Sequence, residues 1–106
     1  MARFDVYCNP EAARAVDVPY LLDVQCDVLS ALDSRVVVPL RRVERFAAVG
    51  LPKNLAPVFE IEGVACFLEV PKLAAVPARI LKAPVASLAQ NGSEITGALD
   101  FLFQGF

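Results

Sequence analysis

The chain opens on an alternation. Phe4, Val6 and Cys8 fall on one face and Arg3, Asp5 and Tyr7 on the other. A period of two predicts a half-buried strand over 3–8. Asn9-Pro10 breaks that period, so 9–19 reads as a loop, with one helical turn around Glu11–Arg14. Leu22, Val24, Cys26 and Val28 then alternate with Asp23, Gln25 and Asp27, which predicts a second strand with a solvated polar face. Arg35–Leu40 (RVVVPL) is a third. Its Pro39 has no N–H to give a ladder, so an edge or a bulge is expected there.

Residues 43–57, punctuated by Gly50, Pro52 and Pro57, read as a long irregular connection. Val58–Glu62 and Val64–Val70 flank Gly63 and predict a hairpin, with Phe59 and Ile61 inward and Glu60 and Glu62 outward. Pro71 ends it, and Val76–Leu81 is a sixth short strand. The period then changes. Ile95, Ala98, Leu99, Leu102, Phe103 and Phe106 follow helical spacing on one face. Leu88 shares that face, so the helix is expected to start near Leu88 and to tolerate Gly92 at roughly 1 kcal/mol. Ser93-Glu94 offers a later start. Short antiparallel strands with one C-terminal helix make a mainly β (α+β) fold of small-barrel type.

With 106 residues, one domain over 1–106 is expected. The apolar fraction is 57% and the mean hydropathy +0.53, above the usual composition of a soluble monomer. No apolar run is long enough for a membrane helix, and MARFDVYCNPE lacks the apolar core of a signal peptide. The surplus apolar surface is therefore expected at a subunit interface or a partner site.

A net charge of −2 argues against a phosphate-binding face. The one cationic knot, Arg41, Arg42 and Arg45 around Glu44, reads as a solvated loop. Cys8, Cys26 and Cys66 form no CxxC, histidine is absent, and no metal site or cofactor is expected. The three cysteines read as small buried hydrophobes.

Catalytic chemistry has little to work with. Asp23 and Asp27 share a strand face, but four residues of strand separate them by about 13 Å. Paired glycosidase carboxylates stand within roughly 5 to 9.5 Å. The serines have no histidine to activate them. What stands out is the ending, LDFLFQGF. Its residue pattern leaves open whether these aromatics plug the core or form a presented tip, with Gly105 letting the chain leave the helix.

The segments YLLDVQCDVL, RVVVPL, LAPVFEIE, AAVPARIL and LDFLFQGF, in that order and spacing, resemble the CcdB family of bacterial toxins. The resemblance runs from Phe4 to Phe106, interrupted mainly at 9–19 and 41–57. It implies an SH3-like antiparallel barrel of the CcdB/MazF type with one C-terminal helix. It further implies a cytoplasmic homodimer that is not an enzyme and contacts neither nucleic acid nor membrane directly. The toxin would bind the A subunit of DNA gyrase, trap the cleaved-DNA complex and be neutralised by a CcdA-like antitoxin.

The family's terminal Trp-Gly-Ile falls on Gln104, Gly105 and Phe106. The resemblance also assigns gyrase contacts to Phe103, Asp100, Cys26, Val28 and Leu29, and antitoxin contacts to Arg14, Arg41, Arg42 and Arg45. Gln104 departs from the pattern by lacking the aromatic face that could stack on an arginine. It keeps open a homologue that binds antitoxin but no longer poisons gyrase. A MazF-like endoribonuclease is a further alternative, opposed by the acidic balance and the missing histidine.

Overall fold

A computed structural model describes residues 2–44 and 52–105. The strands are β1 (Asp5–Cys8), β2 (Tyr20–Asp23), β3 (Ser34–Arg42), β4 (Val58–Ile61), β5 (Val64–Leu68), β6 (Ala74–Pro77) and β7 (Ala86–Ser87). All pairings are antiparallel, in the order β4-β5-β3-β2-β1-β7, with β6 also on β3. The sheet curls into a nearly closed SH3-like barrel, and one helix, α1 (Gly92–Gln104), follows it.

Register explains the core. Val6 pairs with Leu22 and Leu22 with Val38, so one apolar row crosses three strands, fully buried. On the same inner face lie Leu40, Leu68, Phe59 and Ile61, and α1 closes the cluster with Ile95 and Ala98. Burying a side chain such as Ile95 stabilises by about 1.5–3 kcal/mol, more than the helix gains from propensity.

The other face of the sheet is also covered. Tyr7, Val37 and Leu81 form a second cluster, packed by Leu21, Val76 and Ile80. This corrects the expected alternation at the C-terminal end of β1: Tyr7 is buried and Cys8 exposed. Asp23, expected on a solvated face, is fully buried on β2 against a fully buried Arg35. Arg35 donates from Nε at 2.8 Å and Nη2 at 2.7 Å to the Asp23 carboxylate. Nη2 also donates to the Gln25 carbonyl at 3.3 Å. Arg35 Nη1 and the Tyr7 hydroxyl find no hydrogen-bond partner among the described residues.

Pro39 is not at an edge. β3 is central, paired on one side with β2 and on the other with β6 and then β5. The Pro39 carbonyl accepts from Glu69 N where the partner changes from β6 to β5. N and O of an extended residue point the same way, so the missing N–H faces this seam and costs the β2–β3 ladder nothing.

The β4–β5 hairpin forms as expected. Glu62 and Gly63 both take positive φ, 51° and 81°, the pairing a two-residue type I′ turn requires. The Tyr20 hydroxyl donates to Glu62 Oε1 at 2.8 Å, fastening the hairpin tip to β2. β6 begins two residues earlier than expected, and 78–80 form a 3-10 turn. The predicted long connection 43–57 holds a 3-10 turn at Lys53–Leu55, and its residues 45–51 lie outside the described ones.

The helix starts later than the apolar spacing suggests. Leu88 is buried, but its N–H is taken by the Phe4 carbonyl at 2.8 Å and 89–91 form a 3-10 turn. Gly92 then opens α1 against the Phe4 ring, where a Cβ would stand 3.0 Å from Cε2. The glycine is a point of close approach rather than a tolerated cost.

Two outcomes test this packing. Asp23→Ala leaves the Arg35 charge buried and unpaired and should destabilise by about 3–5 kcal/mol in urea unfolding. Asp23→Leu combined with Arg35→Met should recover most of that loss, because no buried charge remains. The Tyr20 hydroxyl is pushed up to about 12 by burial first, then by its hydrogen bond to Glu62 and the nearby negative charge. The folded state thus holds this proton longer than the unfolded chain, whose tyrosine titrates near 10.0. That stabilisation is complete below pH 10 and is lost as pH rises toward 12. Tyr20→Phe should make the alkaline fall in stability shallower, measured by denaturation at stepped pH.

Candidate functional site

The end of α1 is a surface feature. Ile95 and Ala98 face the core, with Leu99 and Leu102 partly buried beside them. One helical step further round, Asp100 is exposed, Phe103 is 71% exposed and Gln104 is exposed. Phe103, placed on the apolar face by spacing, therefore lies at the rim of the core rather than inside it. Gly105 takes φ +79° and its N–H donates to the Phe101 carbonyl at 2.9 Å. This left-handed cap turns the chain away from the helix axis, which glycine does without strain. Phe106 lies outside the described residues.

Cys26, Val28 and Leu29 are not on a strand. β2 stops at Asp23, and Asp27–Leu29 is a 3-10 turn in the loop leading to β3. Cys26 is exposed, Val28 is 86% exposed and Leu29 is 48% exposed. Only Cys66 of the three cysteines is a buried hydrophobe. The strand stops there because Asp23 and Gln25 turn inward: Asp23 Oδ1 accepts from Gln25 N at 3.0 Å, and Gln25 reaches across to β3.

The two sets rest on different supports. α1 packs on the turns at 53–55, 70–72 and 89–91. The 26–29 turn is held instead by Arg3, whose backbone N donates to Asp27 Oδ1 and whose Nε donates to the Val24 carbonyl.

The arginines form a third region. Arg41 and Arg42 end β3 rather than lying in a solvated loop. Arg41 Nε meets Glu69 Oε1 at 3.0 Å, both side chains largely buried. Arg42 donates to the Val16 carbonyl at 2.9 Å and lies 3.6 Å from Glu44. Arg14 pairs with Glu11 at 3.1 Å on the 9–19 excursion, an exposed pair that contributes little to stability. Arg45 lies outside the described residues.

Arg14 and Arg41 border one groove of about 460 Å³. Val18, Leu21, Val37 and Val76 lie among its lining residues, with Lys72, Glu69 and Asp17. Arg42 lines a separate shallow depression with Val16 and Glu44. Sequence reasoning missed this groove and the Asp23–Arg35 pair. The unbroken Val36-Val37-Val38 run was the available signal, because such a run marks a strand covered on both faces.

Among the described residues no group of three or more histidine, cysteine, aspartate or glutamate side chains could hold a metal ion. Nor is any helix among them long and apolar enough to cross a membrane. The arrangement offers exposed apolar side chains on rigid supports, which is the chemistry of protein contact.

No curated protein matches the chain. A family model described as "CcdB protein" matches residues 3–105, nearly the whole sequence. With the barrel and its terminal helix in place, that match decides the question: the chain belongs to the CcdB family, the toxins of toxin–antitoxin pairs.

Proposed function

We propose that this protein is one toxin domain that, as a homodimer, binds the A subunit of DNA gyrase and traps the cleaved-DNA complex, without catalysis of its own. The observation that carries the reading is the exposed, glycine-capped end of α1, with Phe103 71% exposed beside Gln104 and Gly105. A two-fold dimer would present two such tips to a two-fold target. Poisoning then needs only a higher affinity for the cleaved conformation than for the others. Cys26, Val28 and Leu29 add exposed contact surface on this reading, and Asp100 adds an exposed carboxylate beside the tip.

A CcdA-like antitoxin segment would be received at the groove bordered by Arg14 and Arg41, with Arg42 and Arg45 nearby in sequence. The apolar side chains of the groove favour a peptide that folds on binding. Because Arg14 and Arg41 already have carboxylate partners, an acidic segment must displace Glu11 and Glu69 or match the apolar lining.

Gln104 favours a second reading, in which the antitoxin still binds but gyrase is no longer poisoned. The amide gives up the large aromatic area that usually anchors a hot spot. Calorimetric titration of the protein into the dimerisation domain of the gyrase A subunit, beside a variant lacking 104–106, separates the two. Binding that disappears on truncation supports the gyrase reading. Absence of binding by either folded dimer, with retained affinity for the antitoxin peptide, supports the second.

A further inference from the structure

The 26–33 loop combines two properties that rarely occur together. Val28, Leu29 and Leu32 are 86%, 48% and 52% exposed, so three large aliphatic side chains face solvent within five residues. Yet the backbone that carries them is tied down along its length. Leu29 N donates to the Cys26 carbonyl, Ser30 N to Asp27 and Leu32 N to Leu29, at 3.0–3.1 Å. The Asp33 carbonyl accepts from Ala78 N at 2.8 Å.

The tie to the core is Gln25. The residue is 8% exposed and both ends of its amide are used. Oε1 accepts from Val36 N at 3.1 Å, while Nε2 donates to the Leu29 carbonyl at 3.1 Å. The Gln25 backbone is held in turn by Asp23 Oδ1 and by Arg35 Nη2. The fully buried ion pair thus reaches the middle of the apolar loop through one amide.

We propose that Leu32 joins Val28 and Leu29 in a single preformed contact surface, and that Gln25 is the positioning residue that sets its shape. Exposing ordered aliphatic side chains costs solvation and gains nothing within the chain. Ordering them in advance lowers the entropy cost of docking on a partner. The loop carries Asp27 and Asp33 and no base, so the surface it fits is apolar with a cationic rim. This inference rests on the gyrase reading and places that surface on the A subunit of gyrase.

The test is a titration of the full-length protein into the gyrase A subunit. Val28→Ser and Leu32→Ser change exposed residues, so each should leave the melting temperature unchanged while weakening binding about tenfold. Gln25→Ala should weaken binding by a similar factor and speed amide hydrogen exchange at Leu29, Ser30 and Leu32. Its effect should shrink to about twofold once Val28 and Leu32 are both serine, because position matters only while the positioned groups remain. A Leu32→Ser variant that binds as the parent does, or a Gln25→Ala loss that persists in full in the triple variant, overturns the inference and leaves the gyrase reading standing. A folded parent that does not bind gyrase overturns both.

Discussion

A fully buried guanidinium is the constraint around which this fold is arranged. Arg35 has no exposed surface, so its charge must be answered within the protein, and Asp23 on the neighbouring strand answers it. Burial pushes the Asp23 carboxyl up, while the Arg35 guanidinium and Gln25 N–H pull it down. The short contacts to Arg35 favour the ionised form, since a neutral carboxyl would leave the guanidinium unbalanced. Such a pair is weak evidence for added stability, but it is strict about geometry. It fixes the β2–β3 register, ends β2 at Asp23 and turns Gln25 inward to meet β3. The loop that displays Val28, Leu29 and Leu32 takes its shape from that decision.

The same sheet serves two kinds of surface. Its inner face is hydrocarbon, closed by Ile95 and Ala98 of α1, and the helix is thereby oriented so that Phe103 and Gln104 face outward. Its outer face carries the Tyr7, Val37 and Leu81 cluster, and Val37 also lines the adjoining groove bordered by Arg14 and Arg41. On the proposed function, one barrel offers a target and an inhibitor separate surfaces.

Much of the fold was legible because local periodicity reports it faithfully. The β4–β5 hairpin announces itself through Phe59, Ile61 and Gly63, and the apolar positions of α1 follow helical spacing. What misled was covering by distant segments. Asp23 looks like a solvated strand position, and nothing local to it signals that Arg35 of the neighbouring strand meets it in the interior. Val28 was placed on a strand by the same alternation, because a period of two continues through a turn whose residues merely happen to alternate. Leu88 shares the helix face by spacing, but the intervening turn at 89–91 is 3-10 rather than α. For the helix end, pattern alone leaves a core plug and a presented tip equally open; Phe103 and Gln104 are exposed, and Phe106 lies outside the described residues.

β3 borrows partners from both sides of the sequence, and this shapes how the chain must fold. β2 can zip onto it early, since only a ten-residue loop intervenes. Its other edge waits for β5 and β6, which are far along the chain, so loop-closure entropy delays them. During that interval Val36-Val37-Val38 present an open, strongly β-prone edge, the kind of surface that recruits another chain. Pro39 stands on that edge with its missing N–H facing outward. The residue that costs the native ladder nothing interrupts a run along which nascent copies could pair, the placement by which edge prolines blunt aggregation.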